Sequence, residues 1–293
     1  MCGIMGFVKT ADRTISTPRA ITETFKGIAE RGTDASGWGM LTEGEISTCK
    51  AAVPSYVIAK WKGYKKRLPR ADLMVGHARL ATSGTEEVNR NNHPHCSKHM
   101  INVLIHNGVI YENWGAFDQK SDCDSEILLR MIEKLGMKNA CKEMADFDFS
   151  WFAWLDLVPR EKTIYAFRDS ASPCGYIDLT YAIGGILIAS TYLIVSDALK
   201  RAGIEVPSLW KYWQPLKPLH LYKFKVGKAF PQITKIATPR VSSYRNREYL
   251  RHSEYFGYDE YEDDAGDEFK DSRGWSRDKN GVWKYAKKEI KLL

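Results

Sequence analysis

A cysteine at position 2 of this 293-residue chain places a thiol directly after the initiator methionine. Methionine aminopeptidases remove Met1 when the next side chain is small, which would leave Cys2 at the start of the mature chain. A free α-amino group has a reference pKa of about 7.7–8.0, so near neutral pH it is partly uncharged and can accept the thiol proton. Nucleophile and base then share one residue, as in amine-activated threonine. Taken alone, Cys2 reads more simply as a small residue opening a buried strand.

Three further segments carry residue types suited to an amide substrate. Gly76-His77-Ala78-Arg79-Leu80-Ala81-Thr82-Ser83-Gly84 reads as a strand running into a small-residue loop. Arg79 at its end can offer a planar fork to a carboxylate, or can pair with a neighbouring acid as a structural arginine. Ile105-His106-Asn107-Gly108-Val109 holds an Asn-Gly step, which is usually a hairpin turn. The alternative is an oxyanion hole made by the asparagine amide and the next backbone N–H. Asp122 and Asp124 precede an apolar-periodic run. Either can cap a helix, and a carboxylate there can also receive the α-ammonium of an amino acid.

The elements that must position these groups are mostly strands. Residues 2–8 read as a strand beginning at the second residue, and a helix follows Pro18 to about Glu30, with Ile21, Phe25 and Ile28 on one face. Apolar runs predict strands near 36–41, 45–52, 72–80 and 101–111, a helix over 125–135, then strands over 149–158, 162–168, 181–190 and 216–226. Asp197 is expected to cap a short helix ending near Gly203. Strands interleaved with few helices predict a mixed, sheet-rich fold and not a doubly wound one. Beyond about residue 235 the composition changes to alternating basic and acidic stretches. Residues 1–232 are expected to form the main domain and 233–293 a charged, aromatic-containing extension, with a hairpin turn at Asn280-Gly281.

Together these features resemble the class II glutamine amidotransferase domain of the N-terminal nucleophile hydrolase superfamily, over roughly residues 2–200. The landmarks occur in family order: Cys2-Gly3-Ile4, Arg31-Gly32-Thr33-Asp34 with Ser36-Gly37, Gly76-His77-Ala78-Arg79, Asn92-His93-Pro94-His95, His106-Asn107-Gly108, and Asp124-Ser125-Glu126. The resemblance implies an α+β fold, a four-layer αββα sandwich of two mainly antiparallel sheets with a C-terminal appendage. It implies Cys2 as nucleophile, with its amine as base, and Asn107 with the Gly108 amide as the oxyanion hole. Arg79 would hold the glutamine α-carboxylate and Asp124 its α-ammonium. Thr82, Leu80, Ser83 and His93 would complete the substrate pocket, and Arg31 and Asp34 would support it. Two positions depart from some branches: Leu80 stands where several carry an aromatic residue, and Ser83 replaces a residue that others use beside the glutamine.

The implied substrate is L-glutamine and the implied partner a separate ammonia-accepting synthase, because the roughly 90 residues after position 200 are too few to hold one. Two other readings stay open, an N-terminal-cysteine amidase on another amide and a non-catalytic regulatory homologue. No cofactor is expected. His93, His95, Cys96 and His99 crowd one segment, but their spacing does not match recurring zinc-ligand pairs, so no metal is expected either. The formal charge of +7, from 43 basic and 36 acidic residues, gathers in no basic stripe, and nucleic acid is not an expected partner. The six cysteines form no disulfide framework, and no apolar run approaches a membrane span. A reducing, cytoplasmic setting is the expectation, with no membrane association.

Overall fold

In the computed structural model, residues 1–111, 115, 117–147, 150–238, 269–270, 275–277 and 283–285 are described. Two units separate, Met1–Phe256 and Gly257–Leu293.

The first unit opens with β1 (Gly3–Lys9), α1 (Thr17–Gly27), β2 (Ala35–Thr42) and β3 (Glu45–Ala51), then α2 (Ser55–Ile58), α3 (Lys62–Arg67) and β4 (Ala71–Arg79). It continues through β5 (His95–Cys96), β6 (Val103–Val109), α4 (Ser125–Leu135), α5 (Met137–Ala145), β7 (Trp151–Val158) and β8 (Thr163–Arg168). Last come β9 (Gly175–Leu179), α6 (Thr180–Ile183), β10 (Gly185–Ala189), α7 (Tyr192–Ala202), β11 (Trp213–Pro215), β12 (His220–Lys225) and β13 (Gln232–Lys235). One sheet has the order β11-β9-β10-β1-β4-β2-β3 and the other β13-β12-β8-β7-β6-β5, with antiparallel neighbours throughout.

The alternation of side chains along each strand builds three apolar layers. On β1, Met5 and Phe7 face α1 and α7, meeting Ile21, Phe25, Ile194 and Leu199. Ile4 and Val8 face the other way, against Leu155 and Ile105 of the second sheet. The outer face of that sheet, through Leu104, Trp154 and Phe167, packs on Leu128, Met131 and Ile132 of α4 and on Ala140 and Met144 of α5. Helices, sheet, sheet and helices thus form the four-layer αββα sandwich. Both strand faces are buried, so a hydrophobic run on one strand serves two cores.

Several local expectations change. The helix before Gly203 is longer than the short one expected, and its cap is Thr191, whose Oγ1 accepts the Ile194 N–H at 3.4 Å. Asp197 lies inside that helix, 3.4 Å from Lys200 Nζ. The run 181–190 divides into a helical turn and β10, with β9 before it. β13 pairs with β12 through Lys235, so the sheet continues past the expected boundary at 232/233.

In the second unit, β14 (Phe269–Lys270), β15 (Trp275–Arg277) and β16 (Trp283–Tyr285) make a three-stranded antiparallel sheet. The Asn280-Gly281 step lies outside the described residues. Among the described residues no helix is long and apolar enough to cross a membrane.

Candidate active site

Strand alternation carries the site as well as the core. Leu73 and Val75 on β4 point between the sheets, and His77 and Arg79 continue that face toward the strand end. Gly3 pairs with Ala78, so Cys2, one residue before β1, arrives beside Arg79. Val103 and Ile105 on β6 face the same gap, and Asn107 follows them in alternation. The His77 Nε2–H donates to the His106 carbonyl at 2.9 Å, tying β4 to β6 across the gap.

Cys2 is buried and held at the Leu80 backbone. The Leu80 N–H donates to Sγ at 3.4 Å, and the thiol lies 3.5 Å from the Leu80 carbonyl. Burial pushes its pKa up; the Leu80 N–H, the chain-terminal ammonium and Arg79 pull it down, and Asp124 pushes it up. With Met1 in place, that ammonium belongs to Met1. Arg31 Nε donates to the Cys2 carbonyl at 2.9 Å, and Asp34 accepts the Ala81 N–H at 2.8 Å. Gly32 must be glycine, because a Cβ there would collide with the Arg79 backbone. Met1, Arg31, Thr33 and Leu80 line an open cavity of about 450 Å³ at the start of the chain.

Arg79, 3% exposed, donates through Nη1 to Asn92 Oδ1 at 3.0 Å and through Nη2 to the Gly84 carbonyl at 2.8 Å and the Ser83 carbonyl. Its fork thus holds a loop through neutral oxygens, which is neither of the two roles read from the sequence. Asp124, 2% exposed, accepts the Ile110 N–H at 2.7 Å and the Ser83 hydroxyl at 3.1 Å. It stands at the N-cap position of α4 but makes no side-chain cap bond. Glu126 reaches back instead, accepting the N–H groups of Lys120 at 2.9 Å and Ser121 at 2.6 Å. Ser83 therefore joins the cationic and the anionic group of the site.

The Asn107-Gly108 step is not a hairpin turn. Both residues lie within β6 and pair with Ala153 and Phe152 of β7. Gly108 has φ +147°, and an added Cβ would collide with the Trp151 carbonyl oxygen. Leu80 and Thr82 are exposed on the loop after β4, with Leu80 41% accessible. His93 stacks on His77 at 3.9 Å between ring centres and meets His95 edge-on at 4.6 Å. Burial drives all three imidazoles toward the neutral form, His77 and His95 down to about 3 and His93 well below its ordinary value. Asn92, a sequence landmark without an assigned role, is the partner of Arg79, and Cys123 likewise had no assigned role. Cys123 sits one residue before Asp124 in the polar run 121–126, with no second metal-ligand type at a recurring spacing to single it out.

No family model matches the chain. It is similar to glutamine–fructose-6-phosphate aminotransferases (isomerizing): that of Shouchella clausii is 29% identical over 162 residues, 50% of this chain and 24% of that protein. The Pyrococcus horikoshii protein of the same name is 31% identical over 146 residues, covering 46% of this chain and 23% of that protein. The chain spans about a quarter of the length of the curated relatives it matches. Among solved structures, the glutamine phosphoribosylpyrophosphate amidotransferase of B. subtilis superposes with a TM-score of 0.58 at 16% identity, over 81% of this chain and 50% of that one. Over this region the chain resembles glutamine amidotransferases. A second solved structure, an allosteric regulatory enzyme of purine biosynthesis, gives a TM-score of 0.59 at 16% identity over 81% of this chain and 49% of its own. These two likenesses establish the fold, two facing sheets between layers of helices. In this chain the thiol, the arginine and the carboxylate occupy one end of the gap between the sheets.

Proposed function

We propose that this chain hydrolyses the side-chain amide of glutamine through a Cys2 thioester, after removal of Met1, and delivers the ammonia to an acceptor synthase. The observation that carries the reading is the convergence of Cys2 with Arg79 and Asp124, whose charges both act on the buried thiol. A cation and an anion beside a nucleophile match the two charged ends of an amino acid. That combination favours glutamine over an amide lacking an α-ammonium or α-carboxylate.

In this mechanism the glutamine carboxylate takes the Arg79 fork from the Ser83 and Gly84 carbonyls, and the α-ammonium takes Asp124 from the Ser83 hydroxyl. Leu80, Thr82 and Ser83 move with that loop, and His93 buttresses the pocket through His77. The thiol proton passes to the freed amine of Cys2, and sulfur attacks the amide carbon. The oxyanion is met by the Asn107 amide and the Gly108 N–H. The C–N bond breaks as the amine returns its proton to the leaving nitrogen, and ammonia departs. Water then attacks the thioester, C–S cleavage restores the thiol, and glutamate leaves. Removing Met1 is essential here, because an acylated Cys2 nitrogen has no basic lone pair.

Glutamine labelled with nitrogen-15 at the side-chain amide tests this. The wild-type chain should release labelled ammonia and glutamate in equal amounts, and Cys2→Ser should release neither. Equal release by both proteins would contradict the reading. Adding host lysate to the wild-type reaction traces the label to the acceptor.

A further inference from the structure

The buried layer behind the proposed active site brings together groups from two distant segments. His93 and His95 flank Pro94 where the chain enters β5, and Cys123 arrives from the turn before α4. One ligand atom of each lies within 4.8 Å of the other two, and all three residues are buried. Both ring nitrogens of His93, and Nε2 of His95, find no hydrogen-bond partner among the described residues. His93 is only 3% exposed and His95 only 4%. Buried polar atoms are normally satisfied, and orphans of this kind call for an unseen ligand.

We infer that His93, His95 and Cys123 form a binding site for a zinc-class divalent cation. Two imidazoles and a thiolate are a donor set suited to zinc. Tetrahedral zinc sets neighbouring nitrogen and sulfur ligands about 3.3–3.6 Å apart, so the observed spread needs an inward movement of roughly 1 Å. The expectation of no metal rested on His93, His95, Cys96 and His99, a set confined to one segment. The fold replaces Cys96 and His99 with Cys123, so that ligands come from two segments, as zinc sites commonly require.

The charges around the site are mixed. Arg79 bears on both imidazoles, Lys50 and Glu126 on His95, and Asp124 on Cys123. A Cys123 thiolate supplies the negative charge that the cation needs. Binding is an exchange in which the cation enters, sulfur and two imidazole nitrogens each donate a lone pair, and the Cys123 proton leaves to solvent. In the metal-free chain that thiol donates to Asp124 Oδ1 at 3.7 Å. Loading therefore withdraws one donor from a carboxylate at the proposed substrate site.

Cobalt(II) titration of the full chain tests the inference without using glutamine, so its outcome is separate from that of the glutaminase reading. The parent protein is Cys2→Ser, which removes the nucleophilic thiol as a competing ligand, stripped with a chelator. Tetrahedral ligand-field bands and a thiolate-to-cobalt charge-transfer band should saturate at a single equivalent and vanish on addition of zinc. Cys123→Ser should abolish the charge-transfer band. His95→Gln should weaken binding at least about tenfold, the loss that even an outer-shell partner can produce. Melting of each metal-free variant checks folding, and if Cys123→Ser does not fold, His95→Gln decides. A parent without the charge-transfer band would overturn the site, as would the same band in folded Cys123→Ser or unchanged affinity in His95→Gln.

Discussion

The Ser83 hydroxyl donates to the Asp124 carboxylate at 3.1 Å, while the Ser83 carbonyl accepts from Arg79. A single loop residue thus occupies both charged groups at the end of the inter-sheet gap. An amino acid entering the gap would substitute its ammonium and carboxylate for the two ends of Ser83, leaving neither charge unpaired in a buried place.

Asp124→Asn should consequently raise KM for glutamine and change kcat less. Hydrogen bonds to charged groups contribute about 1.5–3 kcal/mol, which corresponds to a rise of roughly 10- to 100-fold. Arg79→Lys should behave similarly, because a lysine cannot reproduce the bidentate fork. Steady-state glutaminase kinetics separate the two constants. A fall in kcat at constant KM would assign these residues elsewhere.

Asn107→Ala removes one proposed oxyanion donor. The expected loss is about 10²–10³ in kcat, with the fold retained. Circular dichroism and single-turnover kinetics check the two parts independently. Retention of near-normal turnover would remove Asn107 from the chemistry.

Gly108→Ala should damage the fold as well as activity. Its φ of +147° is a region reserved for glycine, and the added methyl would drive into the Trp151 carbonyl. We expect a loss of at least about 3 kcal/mol, combining backbone strain with the displaced β6–β7 pairing. Urea denaturation measures it. A stability change under about 1 kcal/mol would contradict this account of the β6–β7 register.

Asp156 predicts a pH dependence of stability. It is fully buried, takes a hydrogen bond from Asn102 Nδ2, and burial pushes its pKa up to about 7. In the unfolded chain it titrates near 3.9. Its favourable contribution is therefore complete below about pH 4 and is lost as pH rises through 7, by roughly 4 kcal/mol in all. Asp156→Asn stays neutral throughout, so its stability relative to wild type should grow by about that amount between pH 4 and pH 8. A difference that does not change with pH would contradict the buried, protonated carboxyl.

Much of the fold was legible because alternation and helical period are local. The helix over 125–135 matches α4 residue for residue, and the strand at the chain start is displaced by one residue. α5 was missed because Met137–Ala145 carries few large apolar side chains, and β9 because five residues with Gly175 beneath Trp213 leave a weak pattern. The site was legible in residue types but not in partnership. Sequence placed Arg79 and Asp124 on separate segments, whereas only the folded chain joins them through Ser83. The reading of Asn107-Gly108 as turn or oxyanion donors needed the pairing of β6 with β7. Cys123 had no local signal because its companions, His93 and His95, lie on another strand connection.

The most direct measurement is intact-mass and peptide analysis of the purified chain after exposure to a glutamine-analogue diazoketone. The expected result is a chain lacking Met1 that gains one adduct, located on Cys2, with saturating glutamine protecting it and Cys2→Ser gaining none. Glutamate production by a chain that keeps Met1, or an adduct on Cys123 or another cysteine with Cys2 untouched, would contradict it.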